Sequence, residues 1–259
     1  MISRLIEFFL PSIIGIMVHK RETLTPKELC AQKSFLAKLD VKKRKTKKPV
    51  IVAIIGLVGS GKSSVAKELA GHIGATVVDG DKIRVELRKQ GEHYEGTRKI
   101  AENVAFGIIV RDGNVILDSD HIDSKKRASI RQKAKKFGAK LIFIRVHTDS
   151  GLDVRQGLVG SDLDIMIGRA ISATYKNNPE DFFGSAHSDW GGDQQIKGAL
   201  IKIREMLRRM PHHYRWINWA GGVWVLKELP FRVFAKINTS YPEQWKQEVE
   251  NCAKKILMF

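Results

Sequence analysis

The chain has 259 residues, a formal net charge of +17, and 43% hydrophobic beside 28% charged residues. This balance is typical of a folded, soluble protein, and the length suits one well-cored domain or two small ones. Cys30 and Cys252 are far apart and form no CxxC pair, so neither a disulfide framework nor a zinc site is predicted. A reducing, cytoplasmic setting fits such cysteine usage best.

The positive charge is concentrated near the start of the chain. Residues 1–48 contain twelve Lys or Arg against four Asp or Glu, nearly half of the net charge. Six of these cations fall within the short run from Lys42 to Lys48. Two interpretations stay open for this run, a solvated linker or a contact with nucleic acid or an anionic membrane.

An apolar segment, residues 5–18, precedes the basic run. It is shorter than the roughly 20 residues of a spanning helix, and Glu7 and Pro11 interrupt it. A secretory signal fits poorly because no small-residue cleavage site follows. Three alternatives remain: a helix docked on the domain or on a partner protein, a peripheral membrane anchor, or a disordered segment.

A first helix is predicted over residues 26–40. Thr25 and Glu28 form a capping box around Pro26, and apolar residues follow at helical spacing. The lysine-rich stretch up to residue 48 is interpreted as a linker. We therefore divide the chain into an extension, residues 1–48, and a main domain, residues 49–259.

From residue 50 onward, predicted strands and helices alternate. The strands are 50–56, 75–79, 114–118 and 140–146, and the helices begin at Lys62 or cover 82–90, 97–110 and 124–137. Alternation with apolar strands indicates a parallel sheet covered on both faces. The pattern breaks over 148–230, which we interpret as an insertion. It resumes with a fifth strand, 231–237, and a helix, 242–257, for which Ser240 is the expected cap.

A phosphate-binding loop is the strongest motif of the sequence. Residues 56–63 read GLVGSGKS, which satisfies GxxxxGK[ST] between a predicted strand and a predicted helix. Backbone amides of such a loop surround phosphates, the lysine reaches the β- and γ-phosphates, and the last hydroxyl ligates Mg²⁺. The expected nucleotide-binding residues are Gly56, Val58, Gly59, Ser60, Gly61, Lys62, Ser63 and Ser64.

Two acidic positions follow the second and third strands. Asp81 can act as the base for an attacking hydroxyl, with Arg84 holding an anionic group, or Asp81 can simply cap a helix. Asp118 ends an apolar strand in the form of a Walker B motif and is expected to hold Mg²⁺ together with Ser63. Asp120 and His121 are interpreted as turn residues, although they are close enough in sequence to contact substrate.

The insertion contains a basic amphipathic helix, predicted over 193–210, whose apolar face we assign to Ile196, Leu200, Ile203 and Leu207. A stretch rich in aromatic residues and cations follows. Its tryptophans, Trp216, Trp219 and Trp224, either stack on bases or pack together as a cluster. The adjacent His212 and His213 lack the partner spacing of a metal site.

The order of these motifs resembles the P-loop kinases grouped around polynucleotide 5′-hydroxyl kinases and adenylylsulfate kinases, whose AAA-type ATP-binding domain is also that of the zeta toxins. The resemblance covers residues 50–156. It implies a three-layer P-loop NTPase sandwich with sheet order 2-3-1-4-5, and a lid inserted between strands four and five. The string DGDKIR at residues 79–84 is most like adenylylsulfate kinases, but their later lysine-containing substrate loop has no counterpart here.

The resemblance also implies roles for individual residues. The aspartate that matches Asp81 activates the acceptor hydroxyl, and the arginine that matches Arg84 binds substrate. Lid arginines that stabilise the transferring group would correspond to Arg155 and Arg169. Here the compact RxxR pattern of the relatives is spread apart, so these two positions depart from the family.

Together these features predict a kinase that transfers the γ-phosphate of ATP, with Mg²⁺, to a hydroxyl group. The expected acceptor is nucleotide-like or a nucleic-acid 5′-hydroxyl, and a small molecule is the alternative. A nucleotide-dependent switch or membrane-associated ATPase without an acceptor also remains open. In that case residues 1–48 would contact a protein or a membrane surface.

Overall fold

The computed structural model describes residues 23–149, 160–175, 194–218 and 222–259. The elements in chain order are α1 (Pro26–Leu36), β1 (Val50–Ile55), α2 (Lys62–Ile73), β2 (Ala75–Asp79), α3 (Gly80–Lys89), α4 (Gly96–Val110), β3 (Asn114–Asp118), α5 (Ser124–Lys136), β4 (Lys140–His147), α6 (Leu163–Ser172), α7 (Gln194–His213), β5 (Tyr214–Ile217), β6 (Val223–Leu226), β7 (Ala235–Asn238) and α8 (Pro242–Leu257). In these ranges no helix is long and apolar enough to cross a membrane.

Five parallel strands form the central sheet, in the order β2-β3-β1-β4-β7. This is the predicted order, because β7 is the fifth strand of the sequence analysis. The register sets Asp79 beside Asp118 at the carboxyl ends of β2 and β3. Since ligands of open α/β sheets bind at that edge, the topology brings polar strand ends to one crevice. The P-loop NTPase fold is confirmed.

Each face of the sheet is covered by helices. On one face α2 and α8 pack on side chains such as Val52, Ile54 and Ile144, all fully buried. On the other face residues of α1, α3, α4 and α5 surround Ile51, Val115 and Leu117. Strands buried on both sides explain why the sequence shows continuous apolar runs and no polar alternation.

The N-terminal helix belongs to the second of these cores. The Thr25–Glu28 capping box is present: the Thr25 hydroxyl accepts from the Glu28 amide at 3.1 Å, and a Glu28 carboxylate oxygen accepts from the Thr25 amide at 2.8 Å. Phe35 is 4% exposed and packs in the core with α3 and α4. The helix is shorter than predicted because the chain turns after Leu36, which lets Leu39 pack on the same core.

The basic run after this helix is exposed along most of its length but makes defined contacts. The Lys45 amide donates to the Ile73 carbonyl at 3.2 Å, and the Thr46 hydroxyl donates to the buried Asn114 amide oxygen at 2.9 Å. Asn114 begins β3 and Ile73 ends α2, so the run crosses the amino ends of the strands. It therefore lies on the sheet edge opposite the phosphate-binding loop.

The insertion between β4 and β7 contains α6, α7 and the antiparallel β5–β6 hairpin. The predicted amphipathic helix is confirmed as α7. Its predicted apolar face is confirmed in part, because Ile196 is 6% exposed and Leu200 and Ile203 pack in the same cluster. Met206 and Met210 are buried, whereas Leu207 is 50% exposed. Hydrophobic residues occur on more than one side of this helix, and only packing against α6 and the β-hairpin selects the buried side.

Two predictions at the end of the chain were wrong in detail. β7 covers Ala235–Asn238 because Phe231 leaves the sheet and packs edge-on against Phe143, with ring centroids 5.4 Å apart. The N-cap of α8 is Tyr241, without a side-chain cap. The Ser240 hydroxyl instead accepts from the Asp149 amide at 3.0 Å and donates to the Asp149 carbonyl at 3.1 Å.

Replacing Phe35 with alanine tests whether α1 is an integral part of the folded unit. We expect Phe35→Ala to lower the free energy of unfolding by roughly 3 kcal/mol, because it leaves a cavity in the second core. Leu29→Ala, on the same helix but 42% exposed, should cost less than about 1 kcal/mol. Urea denaturation measures both values, and equal effects of the two variants would contradict integral packing of α1.

Candidate active site

The phosphate-binding loop connects β1 to α2 and depends on two glycines in left-handed conformation. Gly59 and Gly61 both have φ of +82°, which side chains rarely adopt. A Cβ on Gly59 would also lie 2.5 Å from the Met166 carbonyl oxygen. The loop is therefore shaped by its own glycines and by close contact with α6.

The Lys62 ammonium lies against the backbone of this loop. It donates a hydrogen bond of 2.7 Å to the Leu57 carbonyl. Burial lowers the pKa of Lys62, against the attraction of Asp120 and Asp118. Most of the predicted nucleotide-binding residues line the same cavity, but Ser60 does not. The Ser60 hydroxyl is fully buried without a hydrogen-bond partner within the described structure.

The cavity has a volume of about 450 Å³ and contains the loop, the ends of β2 and β3, and residues of the insertion. Among the predicted site residues it is lined by Gly56, Val58, Gly59, Gly61, Lys62, Ser63, Ser64, Asp81, Arg84, Asp118 and Arg169. This volume lies in the range of ordinary small-molecule sites. Arg155 lies outside the described residues.

Ser63 and Asp118 provide the oxygen atoms that a magnesium ion would need. The Ser63 hydroxyl lies close enough to the Asp118 carboxylate to lower its pKa, and Asp118 is 7% exposed. Burial raises the pKa of Asp118, and the nearby Asp79 and Asp81 raise it further, while Ser63 and Lys62 lower it. A carboxylate among other carboxylates, next to a hydroxyl, is a donor set that fits Mg²⁺ with its waters and phosphates.

The two aspartates of the DGD string have different positions. Asp79, and not Asp81, is the N-cap of α3: its carboxylate accepts from the Asp81 and Lys82 amides at 2.8 and 3.2 Å. The Asp81 carboxylate is thus free to face the cavity. It forms ion pairs with Arg84 at 2.5 Å and with Lys202 of α7 at 3.2 Å.

The charge of Asp81 is set by these partners. Burial raises the pKa of its carboxyl group, but Lys202 and Arg84 outweigh this effect and hold the pKa below its ordinary value. Asp81 is therefore ionised at neutral pH and can accept a hydrogen bond from a hydroxyl. The same two cations are available to an anionic group of a bound molecule.

Asp120 is more important to the site than the sequence indicated. It lines the cavity and is 6% exposed. One carboxylate oxygen accepts from the Gly56 amide at 3.4 Å and the Ile122 amide at 3.1 Å. The other accepts from Arg209 at 2.6 Å and from His213 Nε2 at 3.1 Å. A single buried carboxylate thus joins the phosphate-binding loop to α7.

The pKa values of the Asp120–His213 pair follow from burial and charge. Burial alone would raise the pKa of Asp120, but His213, Arg209 and Lys62 lower it far below its ordinary value. Burial lowers the pKa of His213, and the nearby Lys62 and Arg145 also lower it, against the attraction of Asp120. At neutral pH the pair is best described as an ionised carboxylate accepting from a neutral imidazole.

Arg169 is held by the backbone near the loop. Its guanidinium group donates to the Thr239 hydroxyl and carbonyl at 2.9 and 2.7 Å, and to the Gly59 carbonyl at 3.4 Å. The Thr239 hydroxyl in turn donates to the Ser60 carbonyl at 2.8 Å. Through these hydrogen bonds Arg169 connects the phosphate-binding loop to the end of β7.

Other candidate residues lie away from the cavity. His121 is buried, and its Nδ1 lies 2.9 Å from the Ile54 carbonyl, which makes it part of the turn after β3. Trp216 and Trp224 pack edge to face, with ring centroids 5.4 Å apart, on the β5–β6 hairpin. Trp219 lies outside the described residues.

Comparisons with known proteins agree with the fold. Residues 51–153 match a family model described as an AAA domain, which covers two fifths of the chain and includes the loop, Asp81, Asp118 and Asp120. This match does not single out the polynucleotide kinase or adenylylsulfate kinase group. A search of curated proteins finds no match.

Several solved structures are similar to this one. A gluconokinase from Sinorhizobium meliloti 1021 is 13% identical, with 81% of this chain and 94% of that chain covered and a TM-score of 0.43. The APS kinase of Mycobacterium tuberculosis in complex with AMPPNP and APS is 15% identical, with coverages of 81% and 96% and a TM-score of 0.40. A shikimate kinase from Acinetobacter baumannii is 17% identical, with coverages of 82% and 92% and a TM-score of 0.37. At this level the similarity assigns neither a substrate nor the role of any residue.

Sequence reasoning missed three polar residues of the cavity that come from α7, namely Lys202, Glu205 and Arg209. Their spacing of three and four residues places them on one helical face, and that face was a signal in the sequence. The sequence does not show whether this face is covered by the rest of the fold, and a charged helix face is normally solvated. Here it is turned toward the phosphate-binding loop.

The buried His213 predicts a pH-dependent stability. Its folded pKa lies below the ordinary 6.5, so the folded state binds fewer protons than the unfolded state, and stability is lost as pH falls below 6.5. Between pH 7 and 5 this histidine should lower the free energy of unfolding by up to about 1.4 kcal/mol per pH unit, and His213→Gln should remove that contribution. The neighbouring exposed residue provides the control, since His212→Gln should keep the wild-type slope. Urea denaturation at pH 7, 6 and 5 measures the slopes, and an unchanged slope in His213→Gln would refute the assignment.

Proposed function

We propose that this protein is a kinase that transfers the γ-phosphate of ATP, with Mg²⁺, to a hydroxyl group of an anionic acceptor. One observation carries the proposal: Asp81 lines the same cavity as Lys62, Ser63 and Asp118. A carboxylate that can accept a proton therefore faces the residues that would hold phosphates and metal.

The donor half of the site is the phosphate-binding loop. Its backbone amides and the start of α2 suit the triphosphate, and the Lys62 ammonium would exchange its bond to Leu57 for a phosphate oxygen. Ser63 and Asp118 would hold Mg²⁺, which neutralises charge on the β- and γ-phosphates when bound. In phosphoryl transfer such positioning and charge stabilisation provide most of the catalysis.

The acceptor half is centred on Asp81. The acceptor oxygen forms a bond to the γ-phosphorus while the bond from that phosphorus to the β–γ bridging oxygen breaks, and ADP leaves. The hydroxyl proton passes to the Asp81 carboxylate, which is ionised at neutral pH. Arg84 and Lys202 flank this carboxylate and would bind an anionic group of the acceptor.

For the acceptor we propose a nucleotide-like molecule or a nucleic-acid 5′-hydroxyl end. The paired cations next to Asp81 support a phosphate-bearing acceptor. The volume of about 450 Å³ also suits a small anionic molecule, and this is the second candidate. The basic run at residues 42–48 supports neither, because it lies at the opposite edge of the sheet.

Replacing Asp81 tests the kinase proposal. Asp81→Asn should keep the ATP-dependent thermal shift but lower acceptor phosphorylation at least about 100-fold, because the amide cannot take the proton. Labelled ATP with 5′-hydroxyl oligonucleotides, nucleosides, adenylylsulfate and sugars identifies the acceptor. Asp40→Asn, an exposed carboxylate far from the cavity, is the control. Unchanged turnover in Asp81→Asn would leave the ATPase or switch as the better hypothesis, and labelling of sugars alone would contradict an anionic acceptor.

Replacing Asp118 tests the metal assignment. Asp118→Asn should raise the Mg²⁺ concentration needed for half-maximal nucleotide turnover by about tenfold or more, because one anionic oxygen near the metal is lost. The measurement is a Mg²⁺ titration at saturating ATP, again with Asp40→Asn as the control. A titration identical to the wild type would rule out Asp118 as a metal-holding residue.

A further inference from the structure

The helix α7 places a row of charged residues across the cavity. Lys202, Glu205 and Arg209 lie on one face of the helix and all line the cavity. Lys202 contacts Asp81 in the acceptor half, whereas Arg209 contacts Asp120 beside the phosphate-binding loop. One helix therefore contacts both the donor and the acceptor half of the site.

Arg209 lies close to the position where phosphates would bind. Arg209 lines the same cavity as Lys62, and the carboxylate that holds it, Asp120, also accepts from the Gly56 amide of the loop. The Arg209 side chain is 21% exposed and reaches Asp120 Oδ2 at 2.6 Å and Glu205 Oε1 at 3.7 Å. A triphosphate would bring several negative charges between Lys62 and Arg209.

The contacts of Asp120 allow Arg209 to move. Without Arg209, the carboxylate still accepts hydrogen bonds from the Gly56 amide, the Ile122 amide and His213. No buried charge is left without a partner when the arginine leaves, so the usual cost of breaking a buried ion pair is reduced. Asp120 is thus suited to hold Arg209 in a resting position.

The other arginines known to line the cavity have different partners. Arg84 is paired with Asp81, and Arg169 is bonded to Thr239 and Gly59. A move of Arg169 toward the phosphates would release the bonds that fasten the loop to β7. Among the arginines of the described part of the cavity, Arg209 has the geometry for a contact with the transferring group.

We propose that Arg209 is a catalytic residue that leaves Asp120 and donates to oxygen atoms of the γ-phosphoryl group during transfer. This assignment rests on the proposed phosphoryl transfer and adds a cation from α7 to it. The guanidinium group changes no bond of its own: it stabilises negative charge while the acceptor oxygen bonds to phosphorus and ADP leaves. Asp120 acts as a positioning residue for Arg209 and for the loop.

The experiment compares Arg209→Ala and Arg209→Lys with Arg208→Ala, which removes an exposed cation one position earlier on the same helix. The first measurement is the thermal shift with Mg²⁺ and ADP, with and without aluminium fluoride, which mimics the transferring phosphoryl group. This measurement needs no acceptor. The second is the pair of kcat and KM values for ATP turnover, with water or the identified acceptor.

We expect wild type and Arg208→Ala to gain stability when aluminium fluoride is added to ADP, and Arg209→Ala to lose this gain while still binding ADP. The kcat of Arg209→Ala should fall about 1,000-fold with a much smaller change in KM. Arg209→Lys should recover only part of kcat, because an ammonium group cannot make the two parallel bonds of a guanidinium group.

A purely structural role predicts a different result. If Arg209 only docks α7, then Asp120→Asn, which breaks the same ion pair, should lose the aluminium fluoride gain as fully as Arg209→Ala. Under our proposal Asp120→Asn lowers the melting temperature of the ligand-free protein but keeps most of that gain. A gain that persists in Arg209→Ala, or that is absent from wild type, would overturn the proposal. Arg209→Ala could lose the aluminium fluoride gain while Asp81→Asn keeps wild-type turnover. That result would support the role of Arg209 in phosphoryl transfer but reject the proposed kinase activity.

Discussion

The buried carboxylate of Asp120 connects the three parts of the molecule that form the site. It follows β3, accepts from the first amide of the phosphate-binding loop, and bonds Arg209 and His213 at the end of α7. A buried charge is tolerated only when it is fully paired, so these contacts constrain one another. The position of α7 relative to the loop follows from this constraint.

The ends of the sheet strands position the carboxylates of the site. Parallel pairing in register places the ends of β2 and β3 side by side, so Asp79, Asp118 and Asp120 all belong to the same edge. These three carboxylates have different roles because they have different partners. Asp79 caps α3, Asp118 lies beside Ser63, and Asp120 is covered by α7. The carboxylate that keeps the greatest exposure, Asp81, lies where an acceptor could approach.

Much of the fold could be predicted because its signals are local. Strands buried on both faces read as apolar runs, and β2, β3 and α8 begin and end at the predicted residues. Predictions were wrong where packing selects between local alternatives. Leu207 is exposed because α6 and the hairpin contact another side of α7, and β7 is short because Phe231 packs on Phe143. Ser240 bonds Asp149 instead of capping α8, which is a contact between residues 91 positions apart.

The sequence by itself determined the phosphate-binding loop, since two left-handed glycines, a lysine and a hydroxyl within eight residues specify its shape and chemistry. It also determined the parallel sheet. Only the tertiary structure decided which aspartate caps α3 and which faces the cavity. The tertiary structure alone also brought Arg209 to Asp120, 89 residues apart, because the charge pattern of a helix does not reveal whether a folded chain turns that face toward solvent or toward a buried carboxylate.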